Sequence, residues 1–384
     1  MTIKLSVDQL IAQAIEKTGS DNFGGNSYKE GLEAFVSSLN NDIALTEGPA
    51  GYFSGQIIQL LVNRVEITQL INTHPEILDE KIKEPVFVIG LPRSGTTILQ
   101  TLLALDPSAR FLRNFETTGP ICPPPELLPS SVDPRPGIFH EAMEGMFSVA
   151  PGLKGINGIN FMAHGTAECQ NLTAHEFVHM GWSAGSSLFS HGNWVGDCNM
   201  VQAYKWHKKI LQVLQWKLPN ERWVLKAPMH LFGLEALIDI YPDAKIVFTH
   251  RDPIDAMVSG ISMVYHWTNF TAGQADKQAI LDWYPKLWAQ GLKRALLYRK
   301  KLAPDQGLDI FHQEMSADPI KTVEKIYNHF RIPLLEGAKK RMQTWMRDNP
   351  RSKFGNHECT LNEFGIEPQQ IKEIFDFYYD QYGW

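Results

Sequence analysis

Three short stretches concentrate residues able to hold an anion and move a proton. The first, Pro85-Val-Phe-Val-Ile-Gly-Leu-Pro-Arg-Ser-Gly-Thr-Thr97, reads as a buried strand, a loop bracketed by Gly90 and Gly95, and the start of a helix. That order aims backbone N–H groups and a helix N-terminus at an anion. Pro92, Arg93, Ser94, Gly95, Thr96 and Thr97 form the cradle: Arg93 brings a cation, and the serine and threonines bring hydroxyls. The Gly-x4-Gly spacing is that of the Walker A loop, yet Thr96 stands where its lysine belongs and the charge sits in the loop as Arg93. The pattern predicts a nucleotide phosphate site, but not an ordinary ATP or GTP loop.

Two strand ends supply the other groups, since α/β sheets bind ligands at the carboxyl ends of their strands. In Leu225-Lys-Ala-Pro-Met-His230, Lys226 can neutralise charge on a transferred group and His230 can take a proton from a hydroxyl. In Thr249-His-Arg-Asp-Pro253, Arg251 leaves the strand, and Ser259 lies about two helical turns further on. A guanidinium fork and a hydroxyl so spaced can clamp a phosphate between them.

A fourth stretch points to different chemistry. His175-Glu-Phe-Val-His179 spells the His-Glu-x-x-His zinc-hydrolase motif, which on a helix puts both imidazoles on one face with Glu176 as base. Trp182 replaces the glycine of the extended form, and no third ligand is marked by the pattern, His191 and Glu168 being candidates. The pattern fixes three positions in a histidine-rich segment, so polar pocket lining is its commoner meaning.

The elements that must position these groups follow an α/β grammar. Strands are expected at 222–226, 245–249 and 308–311, alternating with helices as in a parallel sheet with crossovers. Residues 1–80 read as a helical subdomain, and 81–384 as the α/β domain with a helical insertion at about 137–220. Within that insertion Trp182, Phe189 and Trp194 allow an apolar acceptor site, although ordinary core is the commoner use of any one of them, and in the N-terminal helices Arg64 points either to solvent or to a cofactor. With 384 residues, 43% apolar and 20% charged, the chain has the composition of a globular protein. A net charge of −6 argues against nucleic acid as partner. The four cysteines, Cys122, Cys169, Cys198 and Cys359, form no Cys-x-x-Cys pair, which fits a reducing compartment. No signal peptide or run of ~18 apolar residues is evident, so a cytoplasmic location is expected.

Taken together, Gly90-Leu-Pro-Arg-Ser-Gly-Thr-Thr97, Lys226-x-Pro-x-His230 and Thr249-His-Arg-Asp-Pro253 with Ser259 resemble the signatures of the sulfotransferase family. Asp21-Asn-Phe-Gly, Tyr28-Lys-Glu-Gly-Leu32 and Thr360-Leu-Asn-Glu-Phe-Gly-Ile366 are similar to its bacterial-type branch. The resemblance implies a P-loop-like three-layer α/β sandwich around a central parallel sheet. It also implies 3′-phosphoadenosine 5′-phosphosulfate (PAPS) as donor, a small-molecule hydroxyl as acceptor, and no metal. Residues 90–97 would wrap the 5′-phosphosulfate, with Arg93 near the bridging oxygen and the hydroxyls of Thr96 and Thr97 donating. Arg251 and Ser259 would hold the 3′-phosphate, helped by Arg351, Lys353 and His357 of a C-terminal loop. Lys226 would assist the leaving phosphate. The acceptor base is either His230, which follows the lysine by four residues instead of the two of cytosolic members, or Glu116, which other branches match after the loop helix. The competing reading is a P-loop kinase-like nucleotide phosphotransferase. It lacks a lysine after Gly95 and has only Asp252 as a metal-binding acid.

Overall fold

A computed structural model describes residues 2–128, 133–157, 161–218, 222–350 and 360–384. Strands β1 (Val86–Gly90), β2 (Ala109–Phe111), β3 (Arg222–Lys226), β4 (Lys245–His250) and β5 (Gly307–Phe311) form a parallel sheet in the order β2-β3-β1-β4-β5. The three later strands lie where the sequence predicts them, within a residue or so. The edge strand β2 was not foreseen, because Asp106-Pro-Ser reads as a stop and three half-buried residues show no alternation.

Strand periodicity sorts the side chains into two cores and so builds three layers. Phe87, Ile89, Trp223, Leu225, Ile246 and Phe248 face one core; Val86, Val88, Val224 and Val247 face the other. The same alternation sends Lys226 to the side of Val224, and Thr249 to the side of Val247. On that side lies α4 (Thr96–Ala104), the helix that follows the loop. Its Leu99, Leu102 and Leu103 are buried, each worth roughly 1.5–3 kcal/mol, and they seat the loop on the sheet.

Before the sheet come α1 (Val7–Thr18), α2 (Tyr28–Asn41) and α3 (Glu47–Thr73). Between β2 and β3 lie α5 (Arg135–Val149), α6 (Gly152–Asn157), α7 (Gln170–Thr173), α8 (Met180–Ser186), α9 (Phe189–Asp197) and α10 (Val201–Gln215). Helices α11 (His230–Ile240), α12 (Pro253–Ala272) and α13 (Lys277–Arg299) connect the remaining strands. After β5 come α14 (His312–Ala317), α15 (Pro319–His329), α16 (Glu336–Asp348), α17 (Leu361–Phe364), α18 (Pro368–Ile374) and α19 (Asp376–Tyr382).

The N-terminal helices share a core with the insertion: Leu32, Phe35, Phe53 and Leu61 pack with Ala174, Phe177 and Leu188. Arg64 of α3 serves that junction and faces neither solvent nor the loop. It is fully buried, lies between the rings of Tyr28 and Trp206 at 4.6 and 3.9 Å, and donates to Glu176 Oε1 at 2.7 Å. Further donations reach the carbonyls of Phe23 (3.0 Å) and His175 (2.8 Å). Trp182 stacks on Phe35 and His179, Phe189 packs on Trp283, and Trp194 stacks on His191. These three aromatics therefore knit the insertion to its neighbours, the core use that was the commoner expectation for each.

The zinc-motif geometry is corrected as well. His175 and Glu176 end a short 3-10 turn, Phe177 turns left-handed at φ 56°, and His179 caps α8. The two imidazoles thus share no helix face. Nδ1 of His175 bonds the Leu172 carbonyl, Nδ1 of His179 accepts from Trp182 N, and Glu176 is taken by Arg64 and Ser27. Among the described residues no group of three or more His, Cys, Asp or Glu could hold a metal ion.

Burial holds the imidazoles of this region neutral. It lowers the pKa of His175 and His191 to about 4 and of His179 and His207 to about 3. Unfolded imidazoles titrate near ~6.5, so below that pH the unfolded chain binds more protons than the folded one. Stability is therefore complete above pH ~6.5 and is lost as pH falls toward the folded values, by about 1 kcal/mol per pH unit and histidine. The melting temperature is expected to drop by roughly 5 °C between about pH 7.5 and about pH 5.5 in a calorimetric scan. A flat profile would mean that these imidazoles are not buried neutral.

Candidate active site

The loop turns tightly because its backbone does what few residues allow. Arg93 and Gly95 adopt positive φ (68° and 91°), and at Gly90 an added Cβ would stand 2.5 Å from the carbonyl oxygen of Thr249. Only glycine lets β1 and β4 close that near. Ser94, expected as a ligand of the nucleotide, makes its hydrogen bonds inside the loop. Its hydroxyl donates to the Leu91 carbonyl at 2.6 Å and meets Thr249 Oγ1 at 2.7 Å, and its N–H also goes to Leu91. The buried hydroxyl thus braces the loop from behind. The residues after it start α4, whose first-turn N–H groups have no partner within the helix. Thr96 is nearly buried and Thr97 half-buried at this end, and Pro92 is buried at the loop's turn.

Arg93 links Arg251 and Ser259, the two residues expected to clamp a phosphate. Nε of Arg93 donates to Ser259 Oγ at 2.9 Å, and Nη1 of Arg251 donates to the Arg93 carbonyl at 2.8 Å. Arg251 also faces Asp255 at 3.5 Å, while its Nε is buried with no partner among the described residues. The turn that carries it is braced by the C-terminal helix: Tyr378 OH meets His250 Nδ1 and Tyr379 OH donates to Asp252, both at 2.7 Å. Asp252 caps α12 through Ile254 N and so serves the helix. Arg351, Lys353 and His357 lie outside the described residues.

Lys226 reaches the loop because β3 neighbours β1, with Val88 opposite Lys226. Its ammonium is 1% exposed and donates to Thr97 Oγ1 at 3.3 Å and to Glu168 Oε1. Glu168, the partner of Lys226, is a residue that motif reading weighed only as a zinc ligand. One signal marked it: Glu168 is the only Asp, Glu, Lys or Arg from residue 155 to residue 175.

Both expected bases are buried. His230 is fully buried at the start of α11, with Nδ1 against Tyr204 OH at 2.6 Å and its ring edge-on to Phe87. Burial, reinforced by His207 and Lys226, pushes its pKa well below the usual histidine range. Its Nε2 is buried with no partner among the described residues, and no exposed face of the ring remains for a dissolved acceptor. Glu116 is also fully buried. Its Oε1 accepts from Arg113 N at 2.9 Å, and its Oε2 accepts from Arg113 Nε and Nη2 at 2.9 and 2.6 Å. A carboxylate so engaged caps its own turn. Both expected bases are thus buried and engaged with their neighbours.

The donor set is one for a polyanion. Three cations (Arg93, Lys226, Arg251), an open helix N-terminus and a buried unpartnered guanidinium N–H converge on a loop with no Walker lysine. Above it, Arg93 Nη1 points to the Ile156 carbonyl at 3.5 Å, so α6 covers the loop. Beside that cover runs a chain of rings, Phe147–Phe161–Trp267–Phe270, at centroid spacings of 5.7, 5.9 and 6.1 Å.

Comparison with known proteins agrees with this chemistry. The family model described as "Sulfotransferase family" matches residues 85–336, a span holding the loop and both strand ends. The solved structure of sulfotransferase STF1 from Mycobacterium tuberculosis superposes with a TM-score of 0.83 at 29% identity, covering 97% of this chain and 98% of that one. Sulfotransferase STF9 from Mycobacterium avium gives a TM-score of 0.86 at 26% identity, covering 98% and 96%. A curated relative, omega-hydroxy-beta-dihydromenaquinone-9 sulfotransferase Stf3 of Mycobacterium bovis, is 20% identical over 323 residues, 78% of this chain and 76% of the relative.

Proposed function

The chain belongs to the sulfotransferase family, and on that premise we propose that it moves the sulfuryl group of PAPS to a hydroxyl of an apolar small molecule. The observation that carries this reading is the loop cradle with three converging cations and no Walker lysine. Sulfuryl transfer moves less negative charge than γ-phosphoryl transfer, so fixed cations and N–H donors suffice without Mg²⁺. In this reading Arg93, Gly95, Thr96 and Thr97 hold the 5′-phosphosulfate, and Lys226 neutralises charge on the leaving phosphate. Arg251 and Ser259 turn from Arg93 toward the 3′-phosphate, which gives the buried Nε of Arg251 a partner. Support for an apolar acceptor comes from the ring chain beside α6 and from the quinone-derived acceptor named for the Mycobacterium bovis relative.

The donor is tested by melting curves. Adenosine 3′,5′-bisphosphate at a hundred times its Kd is expected to add about 2.7 kcal/mol of stability without Mg²⁺, visible as a rise of roughly 3 °C or more. ATP should do far less. Equal stabilisation by ATP-Mg²⁺ would return the kinase reading, and transfer of labelled sulfuryl from PAPS to a quinol or sterol alcohol tests the acceptor class.

A further inference from the structure

Glu168 stands beside Lys226 at the head of the loop helix, and three hydrogen bonds fix the residues on either side of it. Ala167 N donates to the Leu112 carbonyl at 2.7 Å, Cys169 N donates to the Lys226 carbonyl at 2.8 Å, and Gln100 Nε2 donates to the Ala167 carbonyl at 3.0 Å. One residue earlier, Thr166 pairs with Arg113 in an antiparallel bridge. The segment is thus stitched to β3, to α4 and to the stretch after β2, and Glu168 cannot drift from Lys226. Its Oε1 accepts from Lys226, the cation that also touches Thr97 at the head of α4, and its Oε2 accepts from Gln170 at 2.6 Å. Unlike His230 and Glu116, which are fully buried, its side chain is 28% exposed. A carboxylate oxygen keeps lone pairs beyond one hydrogen bond, so a hydroxyl can still approach.

Resting on sulfuryl transfer as the reaction, we infer that Glu168 is the general base for the acceptor hydroxyl and works as a pair with Lys226. Glu168 takes the hydroxyl proton as the acceptor oxygen bonds to sulfur. The bond from sulfur to the bridging oxygen breaks, and its electron pair leaves with the 5′-phosphate of adenosine 3′,5′-bisphosphate. The proton then passes from Glu168 to solvent. Lys226 holds the carboxylate in place on one side and meets the developing charge on the other.

The test compares wild type, Glu168→Gln and Glu168→Asp in turnover and in stabilisation by adenosine 3′,5′-bisphosphate. Glutamine is expected to lower kcat by about 10²-fold or more while the nucleotide-induced melting shift stays intact, and aspartate should recover part of the rate. Residual turnover of Glu168→Gln should rise toward tenfold per pH unit above neutrality relative to wild type, because only pre-ionised acceptor then reacts. A residue that merely positions Lys226 would lower the rate by the same factor at every pH. The inference is overturned if Glu168→Gln keeps kcat within about threefold, if its loss is independent of pH, or if nucleotide stabilisation disappears with it. A wild-type enzyme that binds the bisphosphate but discriminates against no base variant indicts Glu168 alone. One that neither binds it nor transfers sulfuryl brings down the proposed function and this assignment together.

Discussion

Exchanging Lys226 for methionine is expected to lower kcat by about 10²–10³-fold, the usual loss when one preorganised donor to developing charge is removed. Methionine suits the position because the lysine stem runs on the apolar side of β3 with Val224, and only the ammonium meets Thr97 and Glu168. The fold should survive, since the partly exposed Glu168 can turn to water once its partner is gone. Binding of adenosine 3′,5′-bisphosphate should weaken little, because Arg93, Arg251 and the first turn of α4 remain. Steady-state kinetics with labelled donor, set beside melting shifts, separates the two effects. A variant with near wild-type kcat would reduce Lys226 to a structural cation. Combining Lys226→Met with Glu168→Gln should cost far less than the product of the single losses, as expected of two groups that act as a unit.

Arg64→Ala is expected to destabilise the protein by about 3–5 kcal/mol, the range for removing one partner of a buried ion pair. Glu176 is 3% exposed at its side chain and would keep a buried charge with only Ser27 as donor, while the carbonyls of Phe23 and His175 lose theirs. The stacking of the guanidinium between Tyr28 and Trp206 goes as well. Urea titration measures the loss, and adding Glu176→Gln should restore part of it by removing the stranded charge. If Arg64→Ala costs less than about 1 kcal/mol, the junction between the N-terminal helices and the insertion is held by apolar packing alone. The outcome bears on the site indirectly: Glu176 belongs to the insertion whose segment 166–169 carries Glu168.

Much of this was legible in the chain itself. The loop, its helix, three of the strands and the parallel sheet are encoded by near neighbours: β-branched runs, a glycine bracket, a Pro-initiated helix. Because side chains alternate along a strand, even the face on which Lys226 meets α4 follows from its place two residues after Val224. The spacing of Arg251 and Ser259 likewise puts both near the loop, where Arg93 bonds each of them, since both lie within one strand end and the two turns of helix that follow. The residue types that could bind an anion were therefore identifiable without coordinates.

Which carboxylate or imidazole has access to that anion was not. His230 has the right residue type, but burial against Phe87 and Tyr204 removes it from solvent, and burial is a sum over distant segments. Glu116 is consumed three residues away by Arg113, a pairing that competes with any ligand. His175 and His179 look like one helical face until Phe177 breaks the turn. Arg64 and Glu176 find each other across 112 residues, and Lys226 and Glu168 across 58. Local spacing thus determined the cradle and its charge, because a few consecutive backbone angles build it. Tertiary packing decided the partner of Lys226 and the access to it, because solvent exposure and long-range pairing belong to the folded whole.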